Sequence, residues 1–342
     1  MIDKPSFFRR HHTISIIVLC AVCLTIGGFA TWGFAAYLSA KYAASQVEIS
    51  LRLPNKDNPL INPLLLCSVE NKNFNEDKKL ESTIKSFISD HIARGLIGNM
   101  SVYLINYKTG QWAGVNQNDR YDPASMLKVP IMIAYYKNVE KNPVLLSQEL
   151  AYTGVDQNSN EYFKSGEDIQ PNKTYTAEQL IESMIIHSDN TAADLLQNSI
   201  DQTDLFDIFT DLGLPIPSAG ANIEYMSAKS YAYFFRLLYN ATYVSDTYSE
   251  KALELLSQAV GPGIKDGVPA GVTVAQKFGE RTIYDSSTGQ VQDRELHDCG
   301  IVYKPNSPYL LCVMSRGGSD FDTMAKNISD LSSLIYTDID TQ

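Results

Sequence analysis

The chain has 342 residues, 44% hydrophobic and 20% charged, which is the make-up of a globular protein and excludes a disordered or fibrous one. Its net charge of -11 is unevenly spread: Lys4, Arg9 and Arg10 against Asp3 make the first twelve residues basic, and the remainder is acidic, so no footprint for nucleic acid exists. Five cysteines are too few for a disulfide framework, and His297-x-Cys299 is the only close His/Cys pair, so neither a metal nor another cofactor is expected.

Thr13–Ala40 carries no charge over 28 residues. As a helix rising about 1.5 Å per residue it spans a hydrocarbon core of about 30 Å. That exceeds the apolar core of a cleaved signal peptide, about 7–15 residues. Arg9 and Arg10 precede it, so residues 1–12 are expected in the cytoplasm, 13–40 as a single-pass anchor, and the rest outside the cell membrane. Residues 41–74, with Pro54, Pro59 and Pro63, read as a stalk or linker, and a folded domain is expected over 75–342.

That domain opens on an amphipathic helix bearing Leu80, Ile84, Phe87, Ile88 and Ile92. Ser101–Tyr107 and Gln111–Val115 follow as a hairpin turning at Lys108-Thr109-Gly110. Next comes Asp122–Tyr136. Asp122 and Pro123 read as a helix start, and from Met126 to Tyr136 the only charge is Lys128, so the helix is buried on every face. Ser125 and Lys128, three apart, share one face at its N-terminus. Free N–H groups there favour an oxyanion, and an apolar setting lowers the lysine pKa, so the pair has the make-up of a nucleophile and its base. A second Ser-x-x-Lys, Ser82-Thr83-Ile84-Lys85, lies in a polar amphipathic stretch and carries no such reading.

The middle of the chain is helical. Thr176 and Gln179 form a capping box, and helices are expected at Thr176–His187, Thr191–Ser199, Thr203–Leu212, Ser227–Asn240 and Ser249–Ala259. Strands are expected at Val272–Phe278, Glu295–Tyr303 and Tyr309–Ser315, and a last helix at about 320–336. Strands early and late imply an α+β fold: an antiparallel sheet built from both ends of the chain and flanked by helices, with an all-helical insertion over about 120–260. If Tyr303 and Tyr309 flank the last hairpin turn, Cys299 and Cys312 face each other within one residue of register, as a disulfide or as two buried thiols.

Ser188-Asp189-Asn190 occupies a helix–helix junction, and Lys277-Phe278-Gly279 closes a core strand. Ser-x-x-Lys opening a buried helix, then Ser-Asp-Asn, then Lys-x-Gly on a strand resembles the motif set of class A β-lactamases and penicillin-binding proteins. Lys128-Val129-Pro130 and His297-Asp298-x-Gly300-Ile301-Val302 add to the resemblance, which covers the chain from about residue 75 to its end. It implies Ser125 as nucleophile, Lys128 as general base and Ser188 as a proton relay to the leaving nitrogen. It also implies Asn190 as a ligand of the substrate's acyl-amide and Lys277 as the cation for its carboxylate. Across Gly279, the backbone N–H of Glu280 would form an oxyanion hole with that of Ser125.

The implied substrates are small-molecule β-lactams or D-alanyl-D-alanine peptides of the bacterial cell wall. Two departures stand out. Phe278 replaces a carboxylate-binding hydroxyl, for which Arg281 or Arg316 could compensate. No Glu-x-x-Leu-Asn segment follows Ser188, which leaves Glu224 as the one candidate for the deacylating base and implies a long-lived acyl-enzyme. A D,D-peptidase with slow deacylation and a catalytically weak cell-wall-binding protein of the same fold stay open as alternatives.

Overall fold

A computed structural model describes residues 57–63, 75–154, 161–163, 169–217, 224–318 and 320–339. The expected anchor at Thr13–Ala40 lies outside these residues, and among them no helix is long and apolar enough to cross a membrane. Residues 57–63 belong to the expected stalk, yet they are docked on the folded body. Ile61 is buried, the Leu60 and Ile61 N–H groups donate to Glu250, and the Asn62 N–H donates to the Tyr239 carbonyl.

In chain order the elements are α1 (Lys78–Ala93), β1 (Asn99–Asn106), β2 (Trp112–Val115), β3 (Arg120–Tyr121), a 3₁₀ turn (Ala124–Leu127) and α2 (Lys128–Lys141). Then come β4 (Glu149–Tyr152), β5 (Lys173–Thr176), α3 (Ala177–Ile186), α4 (Asn190–Ser199), α5 (Gln202–Asp211), β6 (Met226–Ser227), α6 (Ala228–Tyr239) and α7 (Asp246–Gln258). The chain finishes with β7 (Val274–Tyr284), β8 (Val291–Val302), β9 (Tyr309–Arg316) and α8 (Phe321–Asp338). The main sheet runs β2-β1-β9-β8-β7 with every pairing antiparallel, so strands from both ends of the chain meet where β1 joins β9.

Alternation along these strands divides the core in two. Val102, Leu104, Leu311 and Val313 face α1 and α8, while Tyr103, Ile105, Leu310 and Met314 face the helical part. The helices start as the sequence implies: Thr176 and Gln179 form the capping box, Asp189 accepts from the Ala192 N–H, and Ser227 caps α6.

Cys299 and Cys312 are directly opposed in the β8–β9 register and joined by a disulfide, fully buried with Cα atoms 4.0 Å apart. The turn is one residue longer than Tyr303 facing Tyr309 would make it, since Val302 is the partner of Tyr309.

Three expectations are corrected. The helix does not open at Asp122: a 3₁₀ turn holds Ser125, the α-helix begins at Lys128, and the Asp122 carboxylate accepts the Ala124 N–H. Ala124 sits at φ 48°, a left-handed conformation that an α-helix excludes. Secondly, β7 does not end at Phe278 but runs on to Tyr284, because Glu280, Arg281 and Thr282 stay paired with β8 despite their polarity. Thirdly, the sequence reading omits the two-stranded pairs β3–β6 and β4–β5, which are too short for a period to show.

Candidate active site

Ser125, Lys128, Ser188, Asn190 and Lys277 converge between the helical part and β7. Lys128 is their centre. Its Nζ lies 2.9 Å from Ser125 Oγ, 3.0 Å from Ser188 Oγ and 2.6 Å from Asn190 Oδ1, and it also donates to the Ser188 carbonyl. The Asn190 oxygen and the Ser188 carbonyl can only accept, so they take two N–H bonds. A neutral amine has two hydrogens, which leaves its lone pair for a hydroxyl. Lys128 is buried, and burial pulls its pKa down to about 8. The geometry therefore supplies a base for the Ser125 proton near neutral pH.

Ser188 stands between two lysines, because Lys277 Nζ donates to its Oγ at 2.9 Å. Ser188 is held at φ 61°, a strained conformation costing about 1–3 kcal/mol, and Ala124 beside Ser125 is strained in the same way. Such strain points the two hydroxyls toward Lys128. Lys277 is fully buried, donates also to the Phe278 carbonyl at 3.0 Å, and has the Phe278 ring 4.5 Å from its Nζ. Burial, then the nearby Lys128, drives its pKa well below the ordinary lysine value.

Gly279 lies against the Ser125 turn, and a Cβ there would meet the Pro123 carbonyl at 2.7 Å and the Met126 N at 3.1 Å. The absent side chain thus lets the outer edge of β7 approach the nucleophile turn. Glu280 is next along that strand. Its carboxylate turns to accept the backbone N–H groups of Tyr162 and Phe163, at 2.5 and 3.3 Å.

Arg281 and Arg316 are committed elsewhere, Arg281 to Asp122 at 2.8 Å and Arg316 to Glu224 at 3.1 Å and Glu295 at 3.6 Å. Glu224, the expected alternative base, is therefore held by Arg316. His297 is structural. Its Nδ1 accepts the Ser315 N–H and its Nε2 meets the Asp122 carbonyl, which fixes a neutral tautomer with the proton on Nε2. Burial depresses its pKa to about 3. Among the described residues no group of three or more His, Cys, Asp or Glu is placed to hold a metal ion.

The sequence reading missed Glu161. Its carboxylate accepts from Asn190 Nδ2 at 2.7 Å and lies 3.9 Å from Lys128 Nζ. Burial raises its pKa to about 7. The three residues Glu161–Phe163 form a strap across the cleft, with the Phe163 ring 6.1 Å from Phe278 and the Tyr162 hydroxyl 2.8 Å from Asp322. Only its two aromatics in a run of Asp, Asn, Ser and Glu mark this stretch in the sequence.

The family model of the β-lactamase enzyme family matches residues 79–339. The chain belongs to that family. It is a serine hydrolase of the β-lactamase type. Its fold is shared with the solved structure of PBP-A, at a TM-score of 0.64 and 21% identity over 78% of this chain and 98% of that one. The TLA-3 extended-spectrum β-lactamase gives 0.66 and 17% over 76% and 98%, and a β-lactamase from Xanthomonas campestris 0.63 and 17% over 75% and 98%. Among curated proteins no sequence matches significantly.

Proposed function

We propose that this protein is a membrane-anchored, extracytoplasmic acyl hydrolase that opens β-lactams or cleaves D-alanyl-D-alanine peptides through an acyl-enzyme on Ser125. The observation that carries the reading is Lys128 Nζ, 2.9 Å from Ser125 Oγ with two strict acceptors holding its hydrogens. Lys128 takes the Ser125 proton as Oγ attacks the carbonyl carbon. The proton passes through Ser188 Oγ, 3.0 Å away, to the leaving nitrogen. Lys277, on the other side of Ser188, favours the anionic state of that relay. The N–H groups of Ser125 and Glu280 are the proposed oxyanion donors. One of the solved PBP-A structures is an acyl-enzyme with penicillin G, which supports a covalent course in this fold.

The anchor rests on the uncharged run Thr13–Ala40 behind Arg9 and Arg10. Two measurements test the reading. A fluorescent penicillin should label the wild-type protein and not Ser125→Ala; equal labelling would contradict the assignment. Protease added to intact spheroplasts should digest the folded domain, and full protection would contradict its export.

A further inference from the structure

We propose that Glu161 is the general base that activates the deacylating water, a role which rests on the acyl-enzyme reading above. Among the described residues it is the carboxylate ion-paired with Lys128, and its side chain is only 15% exposed. Of the other carboxylates nearby, Asp194 on α4 is exposed, and the remaining three are engaged. Glu280 holds the Tyr162 and Phe163 N–H groups, Asp189 caps α4 and accepts the Ile169 N–H, and Glu224 is on Arg316.

Position supports the role. The legs from Ser125 Oγ to Lys128 Nζ and from there to Glu161 Oε1 are 2.9 and 3.9 Å, so the carboxylate lies at most about 7 Å from Oγ. A water hydrogen-bonded on both sides spans about 5–6 Å, a separation within that limit, so one molecule can bridge the carboxylate to an ester on Ser125.

The carboxylate is also pre-placed. Asn190 accepts from Lys128 through its oxygen and donates its amide N–H to Glu161, so one side chain orients both groups. On the far side Glu280 clamps the two N–H groups that follow Glu161, and Phe163 packs on Phe278 and Phe321. A strap fixed at both the helical part and the sheet holds the carboxylate against rotation, as proton transfer requires. It reaches the site from before Ser188 in the chain, which is why a search after Ser188 finds no base.

The step balances. Water oxygen bonds to the ester carbon while its proton goes to Glu161 Oε1. The carbon–Oγ bond then breaks. Glu161 passes that proton to neutral Lys128, and the ammonium so formed protonates the departing Ser125 Oγ, which restores the resting enzyme and releases the acid.

The test is intact-protein mass spectrometry of the full chain after a penicillin pulse, comparing wild type with Glu161→Gln. Glutamine keeps an acceptor for Asn190 and removes the base. The expected result is an adduct that still forms on Ser125, at a rate shifted by the lost charge beside Lys128, and whose lifetime is about 10²–10⁴-fold longer in the variant. The wild-type deacylation rate should also fall below pH of about 7, and that dependence should vanish in Glu161→Gln. Equal lifetimes would overturn the proposal. So would faster acylation with unchanged deacylation, which would make the strap a plain competitor for the Asn190 amide. No adduct in either protein would overturn the acyl-enzyme reading itself, and the base with it.

Discussion

Gly279 of β7 lies so close to Pro123 that a methyl group on it would sit 2.7 Å from the Pro123 carbonyl oxygen, two residues before Ser125. Backbone contact of this kind sets the position of the nucleophile turn against the strand edge. Gly279→Ala should move that turn by several tenths of an ångström, and misplacement approaching 1 Å can cost about 10²-fold in rate. We expect acylation by penicillin to slow markedly while the far-ultraviolet spectrum stays unchanged. Acylation at the wild-type rate would show that the close approach does not position Ser125.

Acylation should depend on pH through Lys128. Its burial lowers the amine pKa to about 8, and only the neutral amine accepts the Ser125 proton. The acylation rate should therefore rise with pH and level off above about 8. Stopped-flow measurement with a chromogenic β-lactam checks this, and a rate that falls over the same range would contradict the assignment of Lys128 as base.

Removing the relay has a different signature. In Ser188→Ala both Lys128 and Lys277 lose an acceptor at about 3 Å, and the leaving nitrogen loses its proton donor. We expect acylation to drop about 10²–10⁴-fold, with the loss smaller for a β-lactam bearing a better leaving nitrogen. A uniform loss across leaving groups would argue that Ser188 only holds the two lysines in place.

The disulfide joins adjacent strands and closes a loop of 13 residues in sequence separation. Closing a loop of that size stabilises a fold by about 3 kcal/mol in the chain-entropy model. A Cys299→Ala, Cys312→Ala double variant should unfold at lower denaturant than wild type while keeping penicillin labelling. Non-reduced mass spectrometry showing both thiols free in the purified protein would contradict the bridge.

Much of this was legible in the chain. The long strands β8 and β9, the buried α2 and the capped α3 carry strong periods and end signals, and side chains at fixed offsets brought Ser125 and Lys128 together. What the sequence hid was local backbone and distant contact. The 3₁₀ turn at Ser125 looks like a helix start because Asp122 and Pro123 suit either, and only the φ of Ala124 separates them. The continuation of β7 past Gly279 depends on pairing with β8, which overrides its polar composition. Glu161 has no period, and its place is set by contacts with Asn190 in sequence distance 29 and, through the next residues, with Glu280. Arg281 and Arg316 looked available for a substrate carboxylate because their partners Asp122, Glu224 and Glu295 come from other strands and loops.

The central claim is that chemistry runs through Ser125 held by Lys128. Peptide mapping of the protein trapped with penicillin tests it most directly. The predicted result is a single adduct on the peptide containing Ser125, lost in Ser125→Ala and kept in Ser82→Ala. An adduct that maps to any other residue, or that survives Ser125→Ala, would contradict the account.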